Sequence, residues 1–353
     1  MEAKENDETR HVVICGGGVI GVSIAYFLSV HHGVSVTIIE RHEIAGCASG
    51  KAGGFLASDW SEGTTINELV KASYQLHMEF GKKHGHEYGF RTLMTSQVLI
   101  GKAENPKRKS RSCPEWISKE KVAQASNIGN IDTTAQVHPR LFTNFLLKKA
   151  KESGARVIFG DIEGISGEDG KFEILYRGSD SSRSTLVGSQ VVIAMGPWSP
   201  TARKWMEGLQ LPPITGTRAH SIVMRPNTEI EPTAVFVEYE SDSVEISPEV
   251  YPRPDGKEMY CQEDSRLRDV AGTVYMCGAT DKKPLPEHPK DVEVSKESGD
   301  TLVKAFKGFS PLLEGSSIDT VQACYLPYSR DHEMPLVSAF FTLLLQGIAF
   351  GEF

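Results

Sequence analysis

Hydrophobic positions in the first forty residues fall into three blocks. His11-Val12-Val13-Ile14-Cys15 is a short, almost unbroken apolar run. The stretch from Val19 to Leu28 carries apolar residues at helical spacing, and Val34-Ser35-Val36-Thr37-Ile38-Ile39 is apolar again. A short continuous run predicts a strand buried on both faces, and a 3.6-residue period predicts a helix with one apolar face, so this order predicts a βαβ unit with parallel strands. Farther along, 66–84 has helical period (Leu69, Val70, Tyr74, Leu76, Met78, Phe80) and Gly85 is the expected stop. His77, His84 and His86 are scattered on that helix and its exit, and are expected to face solvent. Short β-runs are expected at Phe90-Arg91-Thr92 and 96–100. A helix over 141–153 is framed by Pro139 and Gly154. After it come a third parallel strand at 156–159, separate strands at 162–165 and 172–176, a buried strand at Val191-Val192-Ile193, a strand at 273–280 and a helix over 294–306.

Between the first strand and helix stands Gly16-Gly17-Gly18-Val19-Ile20-Gly21, a G-x-G-x-x-G spacing. Gly16 permits the turn, Gly18 lets backbone approach a pyrophosphate, and Gly21 lets the helix lie against the strand; the N–H groups at the helix start, those of Val19 and Ile20 among them, favour an anion. Glu40 ends the second strand about 20 residues on, where a carboxylate accepts hydrogen bonds from a ribose that carries no 2′-phosphate. The alternative is a Gly-rich turn with a solvated acid at a strand end; strand, glycines, helix, strand and acid in this order favour a dinucleotide.

The chain has 353 residues, 39% hydrophobic and 24% charged, enough for one large or two modest domains. Its net charge of −8 is spread along the sequence without a basic-aromatic pattern, so neither nucleic acid nor an anionic membrane is an expected partner. The basic run Lys107-Arg108-Lys109-Ser110-Arg111 reads as a solvated loop. Six cysteines form no C-x-x-C pair and no metal spacing, so no metal is expected, and reduced thiols point to a cytoplasmic setting, with an organelle left open. The acidic, polar start resembles neither a signal nor a transit peptide.

After Glu40 and Arg41, the small-residue stretch Ala48-Ser49-Gly50-Lys51-Ala52-Gly53-Gly54-Phe55 cannot fill a core but lets a loop run close to a flat ligand. Together, G-G-G-V-I-G, I-I-E-R and A-S-G-K-A-G-G-F-L resemble the FAD-dependent oxidoreductases of the D-amino-acid oxidase, glycine oxidase and sarcosine oxidase (DAO) superfamily, nearest an oxidoreductase branch of plants and fungi. The resemblance implies an α/β fold, with a Rossmann-type FAD-binding domain (10–64 and 132–205) interleaved with an antiparallel-sheet substrate domain (65–131 and 206–322) and a divergent tail (323–353). It implies FAD as cofactor, bound by Gly16, Gly18, Val19, Ile20, Gly21, Glu40 and Arg41, by Ser49, Gly50, Gly53, Gly54 and Phe55, by the Val157 backbone amide, and by an A-x-G-x-W segment at Ala194, Gly196 and Trp198. It further implies oxidation of a small amine or amino-acid-like substrate by hydride transfer to flavin, with O2 as acceptor. No side-chain base is required. The Pro252-Arg253-Pro254-Asp255-Gly256 segment is similar to a family hairpin, which makes Tyr251 and Arg253 the substrate-side candidates, although a structural role is open to both. His220 is likewise open to a pocket or a structural role. Residues 257–272 read as an insertion.

After Pro327 the pattern departs from the family. The Gly-rich loop that closes over the flavin is not found in 328–353, so weak flavin binding is expected, and Leu326 stands in the segment where amino-acid-oxidising members often carry a carboxylate-binding Arg. The apolar 336–350 stretch is shorter than the roughly 20 residues a membrane span needs, and is expected to replace a core strand. Two other functions stay open. One is a catalytically impaired nucleotide-binding variant acting as a binding or trafficking component; the other is a nicotinamide-linked dehydrogenase, against which the second glycine loop speaks.

Overall fold

A computed structural model describes residues 10–101, 112–168, 170–206, 211, 213–227, 230–241, 244–253, 272–311 and 315–329. The basic run at 107–111, residues 257–271 of the insertion and the tail from 330 lie outside them. The elements begin with β1 (His11–Cys15), α1 (Val19–His32), β2 (Ser35–Glu40), α2 (Ala48–Lys51), β3 (Phe55–Ala57) and α3 (Asn67–Tyr88). Then follow β4 (Arg91–Thr92), β5 (Met94–Ile100), β6 (Val122–Gly129), β7 (Thr134–Gln136), α4 (Pro139–Glu152), β8 (Arg156–Glu168), β9 (Lys171–Gly178), β10 (Arg183–Gly188) and β11 (Gln190–Ile193). The chain continues with β12 (Ile214–Arg225), β13 (Thr233–Glu240), β14 (Glu245–Ile246), β15 (Glu249–Pro252), β16 (Val274–Asp281), α5 (Lys296–Phe309) and β17 (Ser317–Ser329). Two compact units result, one from the residues up to Gly50, Thr143–Gly216 and those from Pro327, the other from Lys51–Phe142 and Thr217–Leu326.

The first unit holds a six-stranded sheet in the order β10-β9-β8-β2-β1-β11, with β11, β1, β2 and the start of β8 parallel. Strand β1 lies between two parallel neighbours and Val12 to Cys15 are all buried, which is why its sequence is an unbroken apolar run rather than an alternation. The two β-runs expected at 156–159 and 162–165 are one 13-residue strand, β8, bent by an irregularity between Ile162 and Gly164. That bend lets the strand leave β2 and pair antiparallel with β9, placing Ile162, Ile165 and Ile174 against Val13, Cys15 and Ile39.

The second unit is built on an eight-stranded sheet, β17-β12-β16-β15-β13-β5-β6, with β14 paired to β13. Side chains alternate across it. One face sets Ile222, Met224, Val235, Val237, Val250, Val274 and Met276 against Leu302, Ala305, Phe306 and Phe309 of α5. The other face carries Val223, Ala234, Phe236, Tyr251, Tyr275 and Cys277, with Phe55 packed on it. Helix α5 begins at Lys296, two residues later than expected, because Ser295 is its N-cap and accepts the Ser298 N–H (3.2 Å). His220, fully buried, uses Nε2 to accept the Ser295 N–H (3.0 Å), so its role is to brace the start of that helix.

Helix α3 runs past Gly85 to Tyr88 and stops at Gly89 (φ 66°). Gly81 and Gly85 are inside it because Phe90 packs there: a Cβ on Gly81 would stand 2.2 Å from the Phe90 ring. His77, expected at the surface, is buried with its ring 5.0 Å from that of Phe142, and burial pulls its pKa down to about 4 from 6.5. The folded state thus keeps His77 neutral while the unfolded chain takes up a proton below pH 6.5. Stability from this group is complete above 6.5 and is lost as the pH falls toward 4, by about 3 kcal/mol at roughly 1.4 kcal/mol per unit. Melting of the full-length protein followed from pH 7 to 4 is expected to show this slope in the wild type and a shallower one in His77→Phe; equal slopes would refute the assignment.

Candidate active site

In the first unit the turn after β1 is held by backbone. Gly16 has φ 112°, its N–H donates to Ile39 O (2.9 Å), and a Cβ there would stand 2.4 Å from Ala194 O. The next glycine closes the turn from the other side: the Gly17 N–H donates to Glu40 Oε2 (2.6 Å), while Glu40 Oε1 accepts the His42 N–H (2.8 Å). A carboxylate has about four acceptor sites, so Glu40 can hold the turn and still take a ribose hydroxyl. At Gly21 a Cβ would stand 2.0 Å from Gly16 O, which is why α1 can start so close to β1. Gly18 is the N-cap without a side-chain cap, and Ser49 Oγ accepts the Val19 N–H (2.9 Å) in its place. The first intrahelical bond runs from Val22 N–H to Gly18 O (3.0 Å), so the N–H groups of Ile20 and Gly21 precede the ladder and point their partial positive charge outward.

Around this cradle, Ser49 and Gly50 lie in the one-turn helix α2, where an open loop was expected. Val157 is in register with Ile38, and the Arg41 guanidinium pairs with Asp161 (2.7 Å). Ala194 follows β11 with its carbonyl beside Gly16; Gly196 (φ 54°) and Trp198 open the 3-10 helix Gly196–Lys204.

The rest of the glycine stretch belongs to the second unit and is seated on its sheet. A Cβ on Gly53 would stand 2.3 Å from the Tyr251 ring, and one on Gly54 (φ 87°) would stand 2.0 Å from Val137 O. Phe55 stacks on Tyr251 (5.6 Å), and Tyr251 on Tyr275 (6.1 Å). The Arg253 guanidinium lies 4.7 Å from the centre of the Tyr275 ring, donates to Ala52 O (2.9 Å), and is pulled down to about pKa 10 by burial. Phe236 and Trp60 complete an aromatic cluster with Phe55, their centroids 4.9 to 5.3 Å apart. Beside them Glu249 accepts the Tyr251 hydroxyl and the Cys277 thiol. Burial holds both tyrosines well above their usual pKa and pushes Cys277 up to about 12, so all three are protonated donors at neutral pH.

The profile of the FAD-dependent oxidoreductase (DAO) family matches residues 11–347. The chain belongs to that family. A Schizosaccharomyces pombe protein named as an oxidoreductase is 28% identical over 354 residues, covering 93% of this chain and 86% of its own length. The fold is shared with glycine oxidase from Geobacillus kaustophilus (TM-score 0.68, 17% identity, 97% of this chain and 94% of that one). It is shared too with glycine oxidase from Bacillus cereus (TM-score 0.64, 20% identity, 91% and 83%).

The cofactor of the DAO family is FAD, and the first unit's cradle fits it: three glycines whose Cβ atoms would collide or crowd, a helix start without acidic residues, and a carboxylate at the end of β2. The sequence-expected residues divide between the units, with Gly53, Gly54, Phe55, Tyr251 and Arg253 in the second and the rest in the first. Sequence reasoning passed over Gly17, which looked like a free position of the motif although its Cβ would stand 2.4 Å from Ile44 Cδ1. It also passed over Trp60, Phe236, Glu249, Tyr275 and Cys277. For Glu249, Tyr275 and Cys277 the signal was the period-2 spacing in Glu249-Val250-Tyr251 and Tyr275-Met276-Cys277, which puts alternate residues on one face. Among the described residues Cys15, Cys113, Cys277 and Cys324 form no disulfide, no cluster of His, Cys, Asp or Glu could hold a metal ion, and no helix is long and apolar enough to cross a membrane.

Proposed function

We propose that the protein oxidises a small amine or amino-acid-like substrate at a C–H next to nitrogen, with O2 as the final acceptor, in a reducing compartment such as the cytoplasm. The Gly16 to Gly21 cradle with Glu40 carries this reading. Ile20 and Gly21 N–H groups and the dipole of α1 face the pyrophosphate, Glu40 the adenosine ribose, and the Val157 amide the adenine. Bound FAD supplies a two-electron acceptor for hydride. The chain's own contribution is orientation: the aromatic face fixes the substrate, and the protonated Tyr251, Tyr275 and Cys277 exclude a side-chain base at those positions. Once its nitrogen is unprotonated, the amine gives up hydride from carbon and becomes an iminium ion, which water hydrolyses to a carbonyl compound and ammonia or a smaller amine. Two electrons and two protons in all reach O2, giving hydrogen peroxide.

The test is a visible spectrum of the purified full-length protein, with FAD titrated in if none co-purifies. Flavin bands that bleach on anaerobic addition of amines are the expected result, with peroxide appearing once air is admitted. A colourless protein that cannot be loaded would overturn this reading and leave a catalytically silent member of the family.

A further inference from the structure

Glu249 is half-buried on β15 and stands directly across from Phe236 of β13 and Cys277 of β16. Among the described residues it pairs with no lysine, arginine or histidine; its partners are the Tyr251 hydroxyl and the Cys277 thiol on Oε2, and Oε1 takes no hydrogen bond. A partly desolvated carboxylate without a cation is costly unless a cation arrives. Three positive groups of this unit make their hydrogen bonds to other acceptors than Glu249. Arg253 donates to Ala52 O and covers Tyr275, Arg91 donates to Pro252 O and Gln136 Oε1, and Lys51 donates to Ala323 O. On the same face are Phe55, Phe236 and Trp60, the last 45% exposed, so rings with their negative faces border the carboxylate.

We propose that this face recognises its substrate as an organic ammonium ion, through the Glu249 carboxylate and the Phe55, Trp60 and Phe236 rings. The inference rests on the amine-oxidising reading above and names the substrate class for it. The ammonium donates to Glu249 Oε1 while its carbon substituents lie on the rings.

Three probes that share one ring separate the possibilities: benzylammonium (benzylamine at neutral pH), benzyl alcohol and benzoate, titrated calorimetrically and anaerobically into the full-length holoprotein. The ammonium compound is expected to bind about tenfold or more tightly than the alcohol, and benzoate least. Glu249→Gln is expected to remove the ammonium preference without weakening the alcohol, and Phe236→Leu to weaken the ammonium with the charge left in place. Benzoate binding most tightly, or ammonium preference surviving Glu249→Gln, would overturn the proposal. The ranking in the wild-type protein is decisive even if the variants fold poorly. A yellow protein that prefers benzoate refutes the ammonium inference alone, whereas a colourless one refutes the oxidoreductase reading.

Discussion

Gly21→Ala is expected to yield a protein that no longer retains FAD. The added Cβ would lie 2.0 Å from Gly16 O and 3.2 Å from Ile14 Cγ2, both on the β1 side of the turn. Neither can yield cheaply: Gly16 is pinned by its N–H to Ile39 O, and Ile14 is fully buried between two parallel strands. Helix α1 must therefore lift, carrying the Ile20 and Gly21 N–H groups away from the turn. Forced overpacking of this kind costs about 1–3 kcal/mol, so affinity for FAD should fall by up to roughly 100-fold. Gly33→Ala supplies the control. Gly33 caps the same helix at φ 63° but has nothing within 4 Å of a Cβ, so alanine there adds only about 1–2 kcal/mol of backbone strain. It should lower the melting temperature and leave flavin affinity intact. Loss of FAD in both variants, or in neither, would show that the helix start is not what holds the cofactor.

The first βαβ unit was legible because its information is local. An unbroken apolar strand, a glycine turn and an acid at the next strand end each follow from neighbours within about 30 residues, and a turn of this type admits few alternatives. Where reading failed, the cause was a contact distant in sequence. Gly85 looked like a helix stop, yet Phe90 folds back over Gly81 and Gly85 and leaves Gly89 to end α3. His77 was indistinguishable from a surface histidine until Phe142, 65 positions on, covered it. Residues 51–57 were read as continuing the first domain, but Gly53 and Phe55 find their partners in Tyr251, about two hundred residues away. Glu249 escaped for the same reason, since only the pairing of β13, β15 and β16 sets it beside Phe236 and Cys277. Local sequence thus specified the glycine cradle, while the aromatic face is a product of sheet register.

Gly54→Ala is expected to be the most destabilising single substitution in the second unit, and no second change should rescue it. Gly54 has φ 87°, and its Cβ would stand 2.0 Å from the Val137 carbonyl, whose own N–H donates back to Gly54 O (2.9 Å). Left-handed strain and a clash with a hydrogen-bonded backbone add to more than about 3 kcal/mol, roughly 6–12 °C in melting temperature for a unit of this size. Gly53→Ala fails differently, because its Cβ meets the ring of Tyr251, a side chain that can be exchanged. Tyr251→Leu alone also destabilises, removing the stacks on Phe55 and Tyr275 and the bond to Glu249. In the double variant, however, the collision is gone, so the two losses should fall short of their sum by about 1 kcal/mol or more. The Gly54→Ala and Tyr251→Leu pair should instead be additive. Thermal melts of the five variants, three single and two double, read this directly: equal coupling in both pairs would mean that the loop moves as one piece, and that Tyr251 does not set the height at which Gly53 crosses the sheet.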